Sequence, residues 1–235
     1  MPYTLDTPLG EIASGFPAST RVFEARGLDY CCGGQRPLGE AAAAAGVAGE
    51  KVLEDLDDLR QAGIDPGRDW RQASAGELID HLLQTHHAFT RAEMARLMPL
   101  MTKVAGVHGE RHPELMLIRA TVQDLFNDLG PHLQKEEQVL FPYIRALEEG
   151  RPAAGCFGTV ANPIRAMEHE HDLVSGELLL RIRDVSRDFA LPEDACESWR
   201  TLYAALPALE ADLHQHIHLE NNSLFPKALA LEAGA

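Results

Sequence analysis

Apolar residues recur at intervals of three and four along most of the chain, the spacing that places side chains on one face of an α-helix. The pattern predicts four long helices, the first beginning near Ser74 and the others covering about 112–149, 160–188 and 194–232. No run of residues shows the sustained alternation typical of a half-buried strand. Connections that contain glycine or proline separate the long helices, so we predict an all-α fold with an up-down four-helix bundle.

The part of the chain before this bundle predicts only short helices. Three of them are each followed by a glycine, the residue common just past a helix end: Gly27, Gly46 and Gly63. The turn residues of GIDPGRDW then mark a boundary, and Ser74 begins a capping box that Glu77 completes. We therefore predict a small helical domain over residues 1–66 and the bundle over residues 67–235.

A histidine and a glutamate interrupt the apolar face of two of the long helices. The segment HLQKEEQVLFP (132–142) aligns without gaps on HIHLENNSLFP (216–226), and both carry His, then Glu four positions later, then Leu-Phe-Pro. Residues four apart share one face of a helix. This face therefore buries an imidazole and a carboxylate, which is costly unless something compensates them.

The same internal repeat relates one histidine on each of the other two helices. His132 and His216 are 84 residues apart, and so are His87 and His171. This relation favours His87 over its neighbour His86, which is the alternative. Each half of the bundle then has one helix with a single inward-facing histidine, followed by a helix with the His-x3-Glu pair.

Two such halves would bring four histidines and two glutamates together in the bundle core, where facing helices build dinuclear metal sites. The predicted ligands are His87, His132, Glu136, His171, His216 and Glu220. We expect two histidines on each metal, bridging carboxylates and at least one open position per metal. Imidazole suits iron, zinc, copper and nickel, and the spacing does not exclude manganese or a mixed pair. A zinc-stabilised structural bundle is the alternative without small-molecule chemistry.

Composition narrows the classes of partner. The net charge of −15 argues against binding nucleic acid or an anionic membrane, although it is compatible with a homodimer. The first residues lack the basic start and apolar run of a signal peptide, and the four cysteines do not form a secreted disulfide framework. We therefore expect a cytoplasmic protein, with Cys156 in a loop and Cys196 at a helix start, both unreactive.

The sequence DYCCGGQ places Cys31 and Cys32 beside two glycines, just past a short helix. Glycine permits backbone conformations that leave the two thiols exposed and mobile. Such thiols could bind NO, become oxidised or transfer iron, and a packing role is the alternative. We expect the remaining bundle histidines, including His81, to have no role in the site. His169, His214 and His218 should lie at the surface or rim of the bundle, and His108 and His112 should lie in a loop.

With these motifs together, the chain resembles the RIC (repair of iron centres) family, and its second domain resembles hemerythrin-like bundles. The resemblance rests on LDYCCGG, KEEQVLFP, EHD at 170–172 and LENNSLFP. It implies two non-haem iron ions per chain, oxo- or hydroxo-bridged, held by the same six residues. Oxygen-carrying hemerythrins would be expected to have a further histidine one turn after His171, where this chain has Ser175. That difference favours a more open and labile site.

The resemblance further implies a stress-response protein that repairs iron–sulfur clusters damaged by nitrosative or oxidative stress. Iron would pass to damaged iron–sulfur proteins along an acidic path containing Asp128 and Glu170, or through Cys31 and Cys32. A hydrogen bond to a ligand histidine is the alternative role for the two acidic residues. Two further functions fit the same site: reduction of NO to nitrous oxide, and sensing or carrying of O2 or NO.

Pro131 predicts a kink in the helix directly before His132.

Overall fold

The computed structural model describes residues 3–151, 155 and 157–234, so that Cys156 lies outside the described residues. Within this part of the chain the regular structure is helical, apart from an isolated bridge between Pro8 and Pro37. The prediction of an all-α fold is confirmed. No helix among the described residues is both long enough and apolar enough to cross a lipid bilayer.

Four short helices form the N-terminal part of the chain: α1 (Leu9–Gly15), α2 (Thr20–Arg26), α3 (Leu38–Ala44) and α4 (Gly49–Gln61). Single 3₁₀ turns lie at Pro17–Ser19 and Trp70–Gln72. Gly27 ends α2 in the left-handed conformation, at φ 63°. The N–H of Leu28 then donates to the carbonyl of Phe23, which closes the helix end as expected for a glycine cap. Buried apolar residues such as Ile12, Phe23 and Leu56 form the core of these helices.

Each of the four long helices contains a π-helical turn between two α-helical parts. The first runs through α5 (Ala75–His81), the turn Leu82–His87 and α6 (Ala88–His108). The second comprises α7 (Glu114–Lys135), Glu136–Leu140 and α8 (Phe141–Glu148). The third comprises α9 (Ala161–Leu173), Val174–Leu179 and α10 (Leu180–Val185), and the fourth α11 (Glu197–Leu219), Glu220–Leu224 and α12 (Phe225–Ala233). The predicted capping box is confirmed, because the N–H of Glu77 donates to Ser74 Oγ and the N–H of Ser74 donates to Glu77 Oε2.

The Leu-Phe-Pro motif lies where the π turns of the second and fourth helices return to α-helix. The N–H of Phe141 donates to the carbonyl of Glu136, five residues earlier, and the N–H of Phe225 donates to the carbonyl of Glu220 in the same way. A proline tolerates this position because it has no N–H to leave unpaired. The motif therefore marks the π turn and does not end either helix. Helix α7 is likewise continuous through Pro131.

Contacts divide the chain into two compact units. The first consists of Met1–Asp80, Tyr143–Ala161 and His214–Ala235, and the second of His81–Pro142 and Asn162–Leu213. In the first unit, α1 packs against the π turn Glu220–Leu224. In the second, α7 packs against α6 and α10. The domain boundary near residue 66 stays a prediction.

Candidate metal centre

Four buried side chains of the second unit come from three of the long helices. His87 ends the first π turn, His132 lies in the last turn of α7, Glu136 opens the second π turn and His171 lies on α9. Each of these residues is at most 4% exposed. His132, Glu136 and His171 offer ligand atoms within 4.8 Å of one another. These four of the six predicted ligands thus form one buried cluster.

The carboxylate of Glu136 lies between two imidazoles. Its Oε1 is 3.3 Å from Nε2 of His132, and its Oε2 is 3.6 Å from Nε2 of His87. Nε2 of His171 lies 3.3 Å from Nε2 of His132. Neither oxygen of Glu136 accepts a hydrogen bond from any residue that the structure describes. A buried carboxylate without hydrogen bonds is costly, and a cation held by carboxylate and imidazole would compensate it. The donor set therefore fits a metal such as iron.

Two of the histidine rings each contact a further carboxylate on the side that points away from Glu136. The first of them is His132. Nδ1 of His132 lies 2.8 Å from Oε2 of Glu170, which also pairs with Lys135. The hydrogen bond with His132, together with Lys135, lowers the pKa of Glu170 to about 2. Glu170 is therefore ionised and accepts the proton of Nδ1, which leaves Nε2 of His132 with a lone pair for a metal.

His87 is held in the same way. Its Nδ1 lies 2.9 Å from Oε1 of Glu137, whose other oxygen accepts a hydrogen bond from Arg91 at 2.9 Å. Desolvation acts to raise the pKa of Glu137, but the hydrogen bonds from His87 and Arg91 lower it overall. Sequence reasoning missed Glu137. The one available signal was its position next to Glu136, which puts it about 100° around the helix from a predicted ligand.

The first unit contains the matching pair of the repeat. His216 lies in the last turn of α11, and Glu220 opens the fourth π turn. Both are buried, and Nε2 of His216 lies 3.2 Å from Oε1 of Glu220. The pair thus repeats the arrangement of His132 and Glu136, in which the carboxylate faces the imidazole one turn before it.

The two acidic residues near the cluster differ in position. Asp128 is exposed, one turn before His132 on α7. Glu170 is partly buried and bonded to His132, so the geometry favours a role in holding a ligand histidine. Ser175, in place of a further histidine, donates its hydroxyl hydrogen to the carbonyl of His171 at 2.9 Å.

Two expectations for the other histidines, those for His218 and His108, were wrong. His218 is 2% exposed, because residues of the first unit cover it. His108 is the last residue of α6 and is buried, with Nε2 3.2 Å from Sγ of the exposed Cys196. His86 is also buried, but its Nδ1 lies 3.0 Å from Asp212. His169 is exposed as expected.

The two adjacent cysteines are unequal, which corrects the expectation that both are exposed. Cys31 is 4% exposed, whereas Cys32 is partly exposed. The carboxylate of Asp29 folds the loop, because it accepts hydrogen bonds from the N–H groups of Cys31, Cys32 and Gly33. The Cys31 thiol donates to the same carboxylate at 3.3 Å. A hydrogen bond with Cys32 and burial raise the pKa of Cys31 well above its usual value.

Comparisons with known proteins assign both parts of the chain. Residues 78–228 match the hemerythrin HHE cation binding domain, and residues 5–60 match ScdA_N, a domain of unknown function. The chain is 37% identical over 227 residues to the iron-sulfur cluster repair protein YtfE of Escherichia coli O157:H7, covering 97% of this chain and 98% of that protein.

Two further relatives are similar over nearly their whole length. The YtfE protein of Citrobacter koseri is 36% identical over 227 residues, covering 97% of this chain and 98% of that protein. A probable iron-sulfur cluster repair protein of Haemophilus influenzae is 36% identical over 222 residues, covering 94% of this chain and 96% of that protein. The chain therefore belongs to the hemerythrin HHE cation-binding family and is a relative of the bacterial iron–sulfur cluster repair proteins.

Proposed function

We propose that this protein repairs iron–sulfur clusters by donating iron that it binds at a dinuclear site. The observation that carries the proposal is the buried Glu136 carboxylate, which faces His132 and His87 and accepts no hydrogen bond from the described residues. With His132 and His87, this carboxylate would help to hold bound iron and would offset its positive charge. The relatives in Escherichia coli and Haemophilus influenzae are named as an iron–sulfur cluster repair protein and a probable one, which supports the same conclusion.

The six residues predicted from the repeat together bind two iron ions in this proposal. His132 and Glu136 serve one half, and the buried His216 and Glu220 serve the other with the same helical spacing. Both glutamates open a π turn, so the local backbone of the two halves is also alike. The single histidines His87 and His171 complete the two sets.

Three features favour release of iron over permanent storage. Six protein ligands leave each of two octahedral ions with open positions. Ser175 uses its hydroxyl on the backbone of α9, so that it adds no imidazole one turn after His171. Asp128 is an exposed carboxylate one turn before His132 and can receive a departing cation. Bound iron would supply the metal that a damaged cluster has lost.

The substrates are iron–sulfur proteins damaged by nitrosative or oxidative stress in the cytoplasm, and the thiols of the paired-cysteine loop assist the transfer. This loop lies against the helix segment that carries Glu220, since the side chain of Asn222 donates a hydrogen bond to the carbonyl of Cys31 at 2.8 Å. NO and O2 are the small molecules expected to reach the open metal positions.

Two measurements test the proposal. Protein purified without added metal should contain two irons per chain. The iron-loaded protein should restore a purified [4Fe–4S] dehydratase that NO has inactivated, whereas Glu136→Ala and Glu220→Ala should not. Glu168→Ala changes an exposed residue of α9 and serves as the matched control. Restoration by both ligand variants at the rate of the parent protein would refute the proposal, as would zinc in place of iron.

A further inference from the structure

The two His-x3-Glu segments of the internal repeat, 132–142 and 216–226, differ on one face of their helices. The second half has His218, Asn222 and Ser223 where the first has Gln134, Gln138 and Val139. The three residues of the first half are all exposed. His218 and Ser223 are instead buried, and Asn222 is partly buried. We call His218, Asn222 and Ser223 the docking face, because only this copy of the repeat is covered by the N-terminal helices of its own unit.

Polar contacts join the docking face to α1 and to the loop after α2. Oγ of Ser14 lies 3.0 Å from Oγ of Ser223 and 3.4 Å from Nε2 of His218. Nδ1 of His218 lies 3.3 Å from the carbonyl oxygen of Tyr30 and 3.2 Å from Nδ2 of Asn222. The face therefore pairs its own polar groups with those of the segment that covers it, as a specific interface requires.

Asn222 is the centre of this interface. Its Nδ2 donates to the carbonyl of Cys31 at 2.8 Å and to that of Tyr30 at 3.2 Å, while its Oδ1 accepts from Gln35 at 3.3 Å. Two glycines leave the space for this amide. A Cβ on Gly10 would lie 2.6 Å from Oδ1 of Asn222, and a Cβ on Gly34 would lie closer still. One side chain thus fixes both ends of the paired-cysteine loop.

The fixed loop treats its two thiols differently. Cys31 points inward, and its thiol donates to Asp29. Cys32 stays partly exposed, with Nδ2 of Asn221 at 4.0 Å from its sulfur. Asn221 directly follows Glu220 in the chain, so both asparagines belong to the π turn that the proposed ligand opens.

We infer that Asn222 is a positioning residue that fixes the paired-cysteine loop on the π turn of Glu220, so that Cys32 is the thiol available to a metal ion and Cys31 anchors the loop. This inference rests on the proposed function, in which the thiols assist iron transfer. Binding of Fe²⁺ by Cys32 forms one Fe–S bond and releases the thiol proton to solvent, with no change in oxidation state.

The test compares the two thiols in the iron-loaded, full-length protein. The protein is treated briefly with iodoacetamide, and fragmentation of the labelled peptide by tandem mass spectrometry separates Cys31 from Cys32. We expect labelling at Cys32 in the parent protein. Asn222→Asp keeps the shape of the side chain but removes both N–H donors, and should accelerate labelling of Cys31 by about tenfold, the effect of losing one to two net hydrogen bonds. Gln138→Glu alters the equivalent exposed position of the first half and should change neither rate.

A second variant disturbs the Asn222 amide through a residue of the loop instead of through Asn222 itself. Gly34→Ala pushes against Asn222 without altering the helix that carries Glu220, so it should also accelerate labelling of Cys31 while iron content and visible absorption stay unchanged. Labelling of Cys31 as fast as Cys32 in the parent protein would overturn the inference, and so would an unchanged ratio in both variants. Loss of cluster repair with an intact labelling ratio would instead refute the proposed function alone.

Discussion

Nδ1 of His132 is hydrogen-bonded to Oε2 of Glu170 at 2.8 Å, on the side of the ring opposite to the nitrogen that faces Glu136. The bond fixes both the rotation of the ring and the nitrogen that carries its proton. Helix α9 therefore contributes to the cluster twice: His171 enters it directly, and the preceding residue orients a histidine of α7.

Glu170→Gln should weaken metal binding by about 10- to 100-fold, because the neutral amide stabilises the required tautomer of His132 less well. Competition against a chromogenic iron chelator measures the change. Glu168→Gln, at an exposed position of the same helix, should leave the affinity unaltered. Equal affinity in the two variants would contradict a role for the His132–Glu170 hydrogen bond.

Removal of metal should reverse the effect of substituting Glu136. In the metal-free protein, Glu136→Gln should raise the unfolding midpoint, because a buried carboxylate that accepts no hydrogen bond from the described residues costs about 1–3 kcal/mol. With iron added, the parent protein should gain about 2.7 kcal/mol at a metal concentration 100 times its dissociation constant, and the variant should gain less. Thermal unfolding with and without a chelator measures both. A variant that is less stable than the parent in both states would contradict the assignment.

Gly10→Ala should destabilise the protein although alanine favours helices. The new Cβ on α1 would lie 2.6 Å from Oδ1 of Asn222, and overpacking of this kind costs about 1–3 kcal/mol. Gly106→Ala is the matched control, since a Cβ there meets nothing within 4 Å. That helical substitution should stabilise the protein by up to about 1 kcal/mol. Urea denaturation of both variants should show shifts of opposite sign, and shifts of the same sign would mean that Gly10 does not make room for Asn222.

Glu232 should make the first unit sensitive to acid. Its carboxylate accepts hydrogen bonds from the hydroxyl of Thr159, from the N–H of Val160 at 2.8 Å and from the hydroxyl of Tyr143 at 2.9 Å. The hydrogen bond from Thr159 is the largest of the causes that lower the pKa of Glu232. The resulting stabilisation is therefore complete above the unfolded pKa of about 4.3 and is lost as the pH falls through the lower folded value.

Glu232→Gln should cost at most about 1 kcal/mol at neutral pH, because solvent screens this partly exposed carboxylate. The difference from the parent protein should shrink as the pH falls below about 4. Denaturation midpoints across this range measure it, with Glu193→Gln as an exposed control. A difference that stays constant down to the acid limit would show that the charge of Glu232 contributes nothing.

Periodicity and the internal repeat were sufficient to predict the long helices and to select six candidate ligands that are all buried. His87 could be distinguished from His86 because only His87 lies 84 residues before another predicted ligand, His171. His86 instead places its Nδ1 3.0 Å from Asp212. The six-residue ligand set itself stays a prediction, supported by the burial of all its members.

Contacts between distant segments could not be predicted in the same way. His218 was expected at the surface because a helical pattern shows which positions lie off the metal-facing side, but not which of them another segment covers. The burial of Cys31 depends likewise on Asp29, which folds the loop through backbone N–H groups that leave no mark in the sequence. The end of α6 was missed because glycine and histidine near 108 resemble a loop, although the helix continues to His108.

The π turns of the long helices have an evolutionary consequence. A π turn holds about one residue more than an α-turn and behaves as a single-residue insertion in a helix. Deleting one codon from the turn that begins at Glu136 or at Glu220 would restore a plain α-helix, and the later side chains would keep their face because the π turn accommodates the extra residue locally. The two turns begin at equivalent positions of the internal repeat, so a single gain of one codon before the repeat arose would account for both turns.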